Sequence, residues 1–283
     1  CTRRFGAACL PTNYLRGCGV RNPRHLLDLY DVQRIRAKVL QGLAATIVAS
    51  EYMRQVYVNQ GLPEDNVYTL PCPTETSPDP AAPPASESCD RVLFLGRLTT
   101  GKGCVRAVQA TAHCQRALGR ALHLTVAGEG PELSSCQRLA DKLGVDADFV
   151  GWVGSERRLE LLRRADALIV PSLWPEPFGI VGIEAASVGV PAVGYAAGGI
   201  VDWLRPGETG ELADATGFRP LPLAAALERA LRDPAHHRRL QLGAWRMAHE
   251  FDTDRHFSKL VHLFSELSAR ARPRSSSREV SAP

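Results

Sequence analysis

The sequence predicts an α/β fold with a doubly wound parallel sheet, on two observations. From residue 91 onward, short runs rich in β-branched residues alternate with segments whose apolar residues recur at helical spacing. That alternation is typical of a parallel sheet with helices on both faces. Glycines and charged residues follow several of the predicted strands. Sheets of this kind bind ligands beyond the carboxyl ends of their strands, so we expect a ligand site there.

The helices and strands are assigned from local patterns of apolar residues. We expect a loop-rich start over residues 1–30, and then a helix in which Val32, Ile35 and Val39 recur at helical spacing. Helices are predicted at 31–43, 51–59, 104–118, 132–143, 156–163, 179–187, 221–231 and 236–249. Strands are predicted at 45–49, 67–70, 91–95, 122–127, 148–150, 167–170 and 191–194. The segment 71–90 is rich in proline, which predicts a linker and a domain boundary.

Composition limits the class of protein. The chain has 283 residues, of which 45% are hydrophobic and 23% charged. These values are typical of a globular protein and exclude wholesale disorder and a collagen-like fibre. The length is enough for about two domains of roughly 150 residues each.

The charge is concentrated at the C-terminus. The net charge is +4, and the last fifteen residues hold four arginines against one glutamate, which supplies +3 of it. The rest of the chain is close to neutral, so the sequence predicts no nucleic-acid surface.

No membrane span or signal peptide is expected. The longest weakly charged stretch, 179–200, contains Glu184, Pro191 and several glycines, which is a poor pattern for a bilayer helix. The first residue is cysteine rather than methionine, and we expect the natural N-terminus to lie upstream.

The eight cysteines are predicted to be reduced thiols of a cytosolic protein, because several lie inside apolar or helical patterns. Cys1, Cys9 and Cys18 form the only cluster, and their spacing is not that of a zinc finger. They are either three unrelated thiols or part of a metal or structural cluster completed by residues upstream.

The first candidate site follows the strand at 91–95. Gly96, Arg97 and Lys102 lie in a glycine-rich loop that leads into a helix. Backbone approach, positive charge and a helix N-terminus together favour a diphosphate. The loop lacks the spacing of a Walker A motif. The alternative is a solvated turn with two surface cations.

Two further glycine segments follow the next two strands. Gly128 lies in an Ala-Gly-Glu-Gly-Pro turn, and turn chemistry alone accounts for it. Gly151 and Val153 lie in the segment Phe-Val-Gly-Trp-Val, whose backbone groups could hold a nucleobase. Ordinary packing is the alternative for this second segment.

The fourth segment, 171–185, is the most informative about function. Glu176 lies between prolines just before a helix, and Glu184 lies inside that apolar helix. The backbone N–H groups of residues 178–181 have no intrahelical acceptor and are suited to an anion. A carboxylate in an apolar helix is costly without a partner. We expect that partner to be a vicinal diol such as a ribose; the alternative is two incidental glutamates.

With these residues in order, the sequence resembles the retaining GT-B glycosyltransferases, specifically glycosyltransferase family 4 (group 1). The matching segments are GRL-x3-KG at 96–103, AGEGP at 127–131, FVGWV at 149–153, ADALIVPS at 165–172, EPFGIVGIEAASVGVPAVG at 176–194 and AGGIVDWL at 197–204. The most specific of these features is a pair of glutamates with seven residues between them, Pro-Phe-Gly included.

The resemblance implies a GT-B fold and a role for each matching residue. Arg97 and Lys102 would neutralise the diphosphate and stabilise the departing nucleotide, and Glu176 would hold the hydroxyls of the transferred sugar. These three are the expected catalytic residues. The expected substrate-binding residues are Gly96, Gly128, Gly151, Val153, Phe178, Gly179, Ile180, Val181 and Glu184, of which Glu184 would bind the ribose.

The resemblance also implies the reaction and its partners. The donor would be a UDP-, GDP- or ADP-sugar used as co-substrate, with no cofactor and no bound metal, and the sugar would pass to an acceptor hydroxyl with retention of configuration. The acceptor would be a saccharide, a lipid or a small molecule. We expect a cytoplasmic location, with peripheral contact at the inner face of a membrane through the segment upstream.

The expected domains follow from the same resemblance. Residues 1–73 would be a remnant of a truncated N-terminal acceptor domain, 74–90 the proline-rich linker, and 91–250 a complete donor-binding domain. Residues 251–268 would form a helix returning toward the N-terminal domain, and 269–283 a disordered tail. Because about the first half of the N-terminal domain is missing, we expect this chain to be inactive alone or incompletely folded over 1–70.

One segment departs from the family pattern. The family's GG-x-P-E loop has Asp202 in place of the glutamate, which puts a contact there in doubt. Two other functions stay open: another GT-B enzyme, such as a sugar-nucleotide epimerase or a phosphorylase, and a donor-domain fragment that binds nucleotide sugar without catalysis. The two-glutamate segment with GRL-x3-KG argues against an epimerase, and the lack of a pyridoxal-lysine context argues against a phosphorylase.

Overall fold

The computed structural model describes residues 3–74, 78–86 and 88–271. The helices are α1 Cys9–Arg16, α2 Pro23–Gln41, α3 Glu51–Asn59, α4 Cys104–Leu118, α5 Leu133–Leu143, α6 Ser155–Arg164, α7 Ile180–Ser187, α8 Pro220–Arg232, α9 Pro234–Ala248 and α10 Thr253–Ala271. The strands are β1 Thr46–Val48, β2 Val67–Thr69, β3 Arg91–Leu95, β4 His123–Ala127, β5 Asp146–Gly151, β6 Ala167–Val170, β7 Ala192–Tyr195 and β8 Gly210–Ala213.

The chain divides into two compact units. The first comprises the residues up to Val48, Arg54–Leu70 and the residues from Asp254 onward, and the second comprises Ala49–Met53 and Pro71–Thr253. In the first unit, β1 and β2 form a two-stranded parallel sheet, paired from Thr46 with Val67. An isolated two-stranded sheet is marginal by itself.

The second unit is built on a six-stranded sheet in which every pairing is parallel. The strand order is β5-β4-β3-β6-β7-β8. The order reverses at β3, where the chain crosses from β5 to β6, and this is the topological switch point at which doubly wound sheets bind ligands. The predicted parallel α/β architecture is therefore confirmed.

Side chains of successive strand residues enter two hydrophobic cores, one on each face of the sheet. Along β3, Val92 and Phe94 enter the core beneath α4, α5 and α8, whereas Leu93 enters the core beneath α7 and α9. This alternation follows from the two-residue period of a strand. The sheet is thus covered on both faces.

The start of the chain differs from the prediction. Residues 9–16 and 23–30, expected to be loop, are helical in α1 and α2. The sequence does contain a signal for the second helix: the Asn22 side chain accepts hydrogen bonds from the backbone of Arg24 and His25, and Pro23 occupies the first turn. The short strand β8 also lacks a prediction, because its sequence, Gly-Glu-Leu-Ala, contains no β-branched or aromatic residue.

The C-terminus differs as well. The last helix, α10, runs over Thr253–Ala271 rather than 251–268, so residues 269–271 are helical instead of part of a disordered tail. The helix continues into the first residues of the arginine-rich segment, because neither alanine nor arginine opposes a helix. Residues 272–283 lie outside the described residues.

The proline-rich segment has no helix or strand among its described residues, but it lies along the second unit. Asp79 donates its backbone N–H to the carbonyl of Ser187 at the end of α7, and the Trp245 indole of α9 donates to the Asp79 carbonyl at 2.8 Å. Farther along, Ser86 contacts the buried His237 ring at 3.2 Å. These contacts hold the segment against α7 and α9.

The described residues bear on the expected lack of a membrane span and on the expected free thiols. No helix there combines the length and the hydropathy that crossing a membrane requires. The seven cysteines described are free thiols, including Cys9 and Cys18, whereas Cys1 lies outside the described residues.

Candidate functional site

A cleft of about 790 Å³ opens at the carboxyl ends of the central strands of the second unit. Its walls include the loops that follow β3, β4, β5 and β6 and the first turn of α7. The predicted site residues that line it are Gly96, Arg97, Lys102, Gly128, Val153, Glu176, Phe178, Gly179, Ile180, Val181 and Glu184. Gly151 is the one predicted residue that does not line the cleft.

Gly151 and Gly128 hold two of the loops together. The Gly151 carbonyl accepts the Gly128 N–H at 2.7 Å. A Cβ atom at Gly128, whose φ is +146°, would lie 1.9 Å from the Gly96 carbonyl oxygen. Only glycine permits so close an approach with this backbone angle. The two glycines therefore shape the cleft wall, and in this structure Gly151 joins the ends of β4 and β5 instead of facing the cleft.

Lys102 and Glu176 form an ion pair inside the cleft. The Lys102 Nζ lies 2.7 Å from the Glu176 Oε1, and the Glu176 residue is 4% exposed. The same oxygen accepts hydrogen bonds from the Ser172 hydroxyl and the Trp174 indole N–H. The Trp174 ring also lies 5.8 Å from the Lys102 ammonium, within cation–π range. The buried carboxylate is thus satisfied by three donors.

Arg97 is in a different state from Lys102. It is exposed at the cleft wall, and among the described residues its guanidinium forms no ion pair. It can therefore turn toward an anion in the cleft without first breaking an internal ion pair. This combination of one paired and one unpaired cation is not visible in the sequence.

The first turn of α7 presents backbone donors to the cleft. Gly179, with φ +83°, precedes the helix, and the Phe178 carbonyl accepts the Trp203 indole N–H at 2.6 Å. Within the described part of the chain, no backbone acceptor is found for the N–H groups of Ile180 and Val181. N–H groups in this position carry the positive end of the helix dipole and favour an anion.

Glu184 faces the same cleft but has a protein partner that the sequence does not suggest. It is 6% exposed within the apolar α7, and its Oε1 lies 3.3 Å from an Arg158 Nη2 on α6. Arg158 also lines the cleft. Sequence reasoning expects ligand hydroxyls to satisfy this carboxylate and misses the arginine, because nothing local links α6 to α7.

Asp202 does not line the cleft. Its Oδ2 accepts the backbone N–H of Glu51 at 2.7 Å, at the start of α3. Burial raises the pKa of this carboxyl, and the hydrogen bond from Glu51 opposes that rise. The carboxylate that replaces the family's glutamate is therefore bound to the protein backbone.

The residues described contain no group of three or more His, Cys, Asp or Glu side chains arranged to hold a metal ion. The charged groups that line the cleft are instead three cations and three carboxylates: Arg97, Lys102, Arg158, Glu129, Glu176 and Glu184. Two of the three cations already contact a carboxylate, and Arg97 is the one for which the described residues show no ion pair.

Comparison with known proteins gives the family of this chain. Residues 78–244 match the family model described as "Glycosyl transferases group 1". Among curated relatives, the glycogen synthase of Mycobacterium tuberculosis is 36% identical over 167 residues, which cover 57% of this chain and 39% of that protein. The D-inositol 3-phosphate glycosyltransferase of Salinispora arenicola is 36% identical over 197 residues, covering 65% and 43%. The chain spans about two fifths of the length of these relatives.

Solved structures agree with the fold. The sucrose-phosphate synthase of Thermosynechococcus elongatus superimposes with a TM-score of 0.69 at 26% identity, over 84% of this chain and 62% of that one. The Anabaena protein HepE in complex with UDP gives a TM-score of 0.72 at 18% identity, over 87% and 70%. The expected GT-B type α/β fold is confirmed. The residues matched by the family model include every predicted site residue. The chain therefore belongs to the group 1 glycosyl transferases.

Proposed function

We propose that this chain carries the donor site of a retaining, nucleotide-sugar-dependent glycosyltransferase of family 4, which transfers a sugar to an acceptor hydroxyl. The observation that carries the proposal is one cleft that contains Arg97, Lys102, the α7 N-terminus and two buried carboxylates. Each of these groups suits a different part of a nucleotide sugar.

The diphosphate is the best-supported part of that ligand. Arg97 and Lys102 bring two positive charges to the loop after β3, and the N–H groups of Ile180 and Val181 approach from α7. Phosphate oxygens are bound well by arginine, by lysine and by helix N-termini. A diphosphate between these groups would replace Glu176 as the partner of Lys102.

The two glutamates suit the sugar hydroxyls on either side of the diphosphate. Glu176, once Lys102 turns to the diphosphate, would accept from hydroxyls of the transferred sugar. Glu184 would accept from the ribose of the nucleotide, whose base would lie against the backbone of Val153. Carboxylates are acceptors only, so a pair of vicinal hydroxyls is a natural partner for each.

The proposed reaction breaks the bond between the anomeric carbon and the diphosphate oxygen. Negative charge develops on the diphosphate, and Arg97, Lys102 and the α7 amides would stabilise it; in other enzymes, removing one such donor costs about 3–4 kcal/mol. The acceptor hydroxyl would attack from the same face and pass its proton to a phosphate oxygen, which gives retention. In this scheme these side chains and amides supply the positive charge without a metal ion.

The donor and acceptor are proposed only as classes. UDP-sugars are the first donors to test, because the similar Anabaena structures contain UDP or UDP-glucose, followed by GDP- and ADP-sugars. The relatives named for glycogen and inositol phosphate support a saccharide or small-molecule acceptor, and a lipid acceptor at the cytoplasmic face of a membrane stays open.

Calorimetry with UDP, GDP, ADP and the matching nucleosides tests the proposal. We expect at least one diphosphate to bind, and Arg97→Gln to weaken it about tenfold or more, as for a charge-assisted hydrogen bond, while leaving nucleoside binding unchanged. Arg138→Gln, an exposed arginine on α5 whose Nη2 lies 3.4 Å from the Ser135 hydroxyl, is the control. Equal affinities in the wild type and Arg97→Gln would contradict the proposal.

Catalysis needs a second measurement. Incubation with the sugar nucleotide that binds, followed by proton NMR of the released or transferred sugar, reports both turnover and anomeric configuration. An inverted product would overturn retention. Binding without turnover would favour the alternative, a donor-binding chain that does not catalyse transfer by itself.

A further inference from the structure

We propose that Arg158 is a positioning residue that holds the Glu184 carboxylate in the orientation in which it binds the ribose diol. This inference rests on the proposed function and adds a residue that the sequence motifs do not contain. Its physical reason lies in the unusual position of Glu184 inside an apolar helix.

The helix around Glu184 is mainly apolar. The residue lies in the second turn of α7, and three residues farther on the Ser187 hydroxyl donates to the Glu184 backbone carbonyl, not to its carboxylate, at 2.7 Å. Glutamate has three side-chain torsions, and the helix backbone restricts mainly the first of them. A charged partner from another element can fix the orientation of the carboxylate at the cleft wall.

Arg158 is such a partner from the neighbouring helix. It lies in the first turn of α6, shortly after Val153, which lines the cleft. The Arg158 Nη2 is 3.3 Å from the Glu184 Oε1. The Arg158 side chain is 30% exposed and that of Glu184 is 8% exposed. The arginine thus reaches from solvent to an enclosed carboxylate and brings a positive charge to it at the cleft wall.

The contact is compatible with a ligand. A carboxylate has about four acceptor sites on its two oxygens, so a guanidinium on one oxygen and a diol can be bound together. Because Arg158 contacts Glu184, it flanks the place proposed for the ribose. Its effect should depend on the ribose hydroxyls and not on the diphosphate, which is proposed to lie at Arg97 and Lys102.

The neighbouring Arg157 provides a matched control. It lies on the same turn of α6, pairs with Glu160 at 2.7 Å, and does not line the cleft. Arg157→Gln therefore removes the same charge from the same helix without touching Glu184. The pair Arg158→Gln and Arg157→Gln separates local positioning from a general change of charge.

The test compares UDP with 2′-deoxy-UDP by calorimetry, with the GDP and ADP pairs run in parallel. We expect Arg158→Gln to weaken UDP binding about tenfold, which lies within the range of interaction energies measured between contacting side chains. Binding of 2′-deoxy-UDP should weaken less than about threefold. Arg158→Lys should recover part of the lost UDP affinity, and Arg157→Gln should bind UDP like the wild type. Glu184→Gln, like Arg158→Gln, should weaken UDP binding more than 2′-deoxy-UDP binding. Circular dichroism and thermal unfolding verify that each variant is folded.

Three results would overturn the inference. Equal losses for UDP and 2′-deoxy-UDP in Arg158→Gln would indicate a structural role or a diphosphate contact. Tighter UDP binding in that variant would mean that Arg158 competes with the ribose for Glu184. Loss of ribose dependence in Glu184→Gln with no change in Arg158→Gln would leave the proposed function intact and remove Arg158. Failure of the wild type to bind any of the nucleotides would instead reject the proposed function, and the inference with it.

Discussion

The ion pair between Lys102 and Glu176 gives a prediction in which stability and ligand binding separate. Lys102→Met removes the ammonium but keeps a long unbranched side chain, and it leaves the Glu176 carboxylate inside the cleft wall without its cation. We expect Lys102→Met to be less stable than the wild type. We expect Lys102→Met/Glu176→Gln to regain part of that stability, because the double variant no longer encloses an uncompensated charge.

The size of the effect follows from the geometry. Losing a hydrogen bond to a charged group costs about 1.5–3 kcal/mol, and breaking a fully buried ion pair about 3–5 kcal/mol. The lower range applies here, because the Lys102 side chain is 28% exposed and reaches water. Ser172 and Trp174 also continue to donate to the carboxylate. The expected loss is about 2 kcal/mol, and the double variant should recover about 1 kcal/mol of it.

Urea unfolding followed by tryptophan fluorescence measures these changes in the relevant part of the chain. Trp152, Trp174, Trp203 and Trp245 are the four tryptophans, and all lie in the second unit. With a slope of about 2 kcal/mol per molar urea, a loss of about 2 kcal/mol moves the midpoint by about 1 M. UDP binding is measured on the same four proteins: wild type, both single variants and the double variant.

The outcome that would refute the reasoning is additivity. If the double variant loses the sum of the two single losses, or if Lys102→Met unfolds at the wild-type midpoint, the two side chains do not interact in the folded protein. UDP binding provides the second criterion. The double variant should still bind UDP weakly although part of its stability returns, because it lacks the ammonium that is proposed to hold the diphosphate. Recovery of both properties would mean that Lys102 acts only through stability.

Two further predictions concern packing and pH. Gly182→Ala should destabilise the protein by about 1–3 kcal/mol, because the new Cβ would lie 2.0 Å from the Trp203 ring. Urea unfolding should show this loss. The control variant Gly6→Ala, whose new Cβ would have no atom within 4 Å, should have nearly the stability of the wild type. Burial lowers the pKa of His237, so the unfolded chain takes up a proton first and stability should fall as the pH drops through about 6.5. Unfolding titrations between about pH 8 and pH 5 should show a smaller dependence in His237→Gln, and an unchanged dependence would contradict the assignment of a neutral buried ring.

The sequence by itself determined most elements of the second unit and the loops that line the cleft. Strand β3, helix α4 and strand β6 were predicted with their observed bounds, because their signals are local: β-branched runs, helical spacing and glycines at the ends. Eleven of the residues that line the cleft were also predicted from the sequence, since the carboxyl ends of parallel strands lie at one edge of the sheet. The helix α1 near the start of the chain could not be predicted from the sequence, because it buries only Asn13 and so has no apolar stripe to recognise.

Only the tertiary structure decided which charges meet. Lys102 and Glu176 are 74 residues apart, and the contact of Arg158 with Glu184 joins two different helices, so no local pattern encodes either pair. The same holds for Gly151, whose carbonyl joins two loops, and for Asp202, whose carboxylate meets the backbone of Glu51. Propensity and spacing act over a few residues, whereas ion pairs and close approaches depend on how the sheet brings distant loops together.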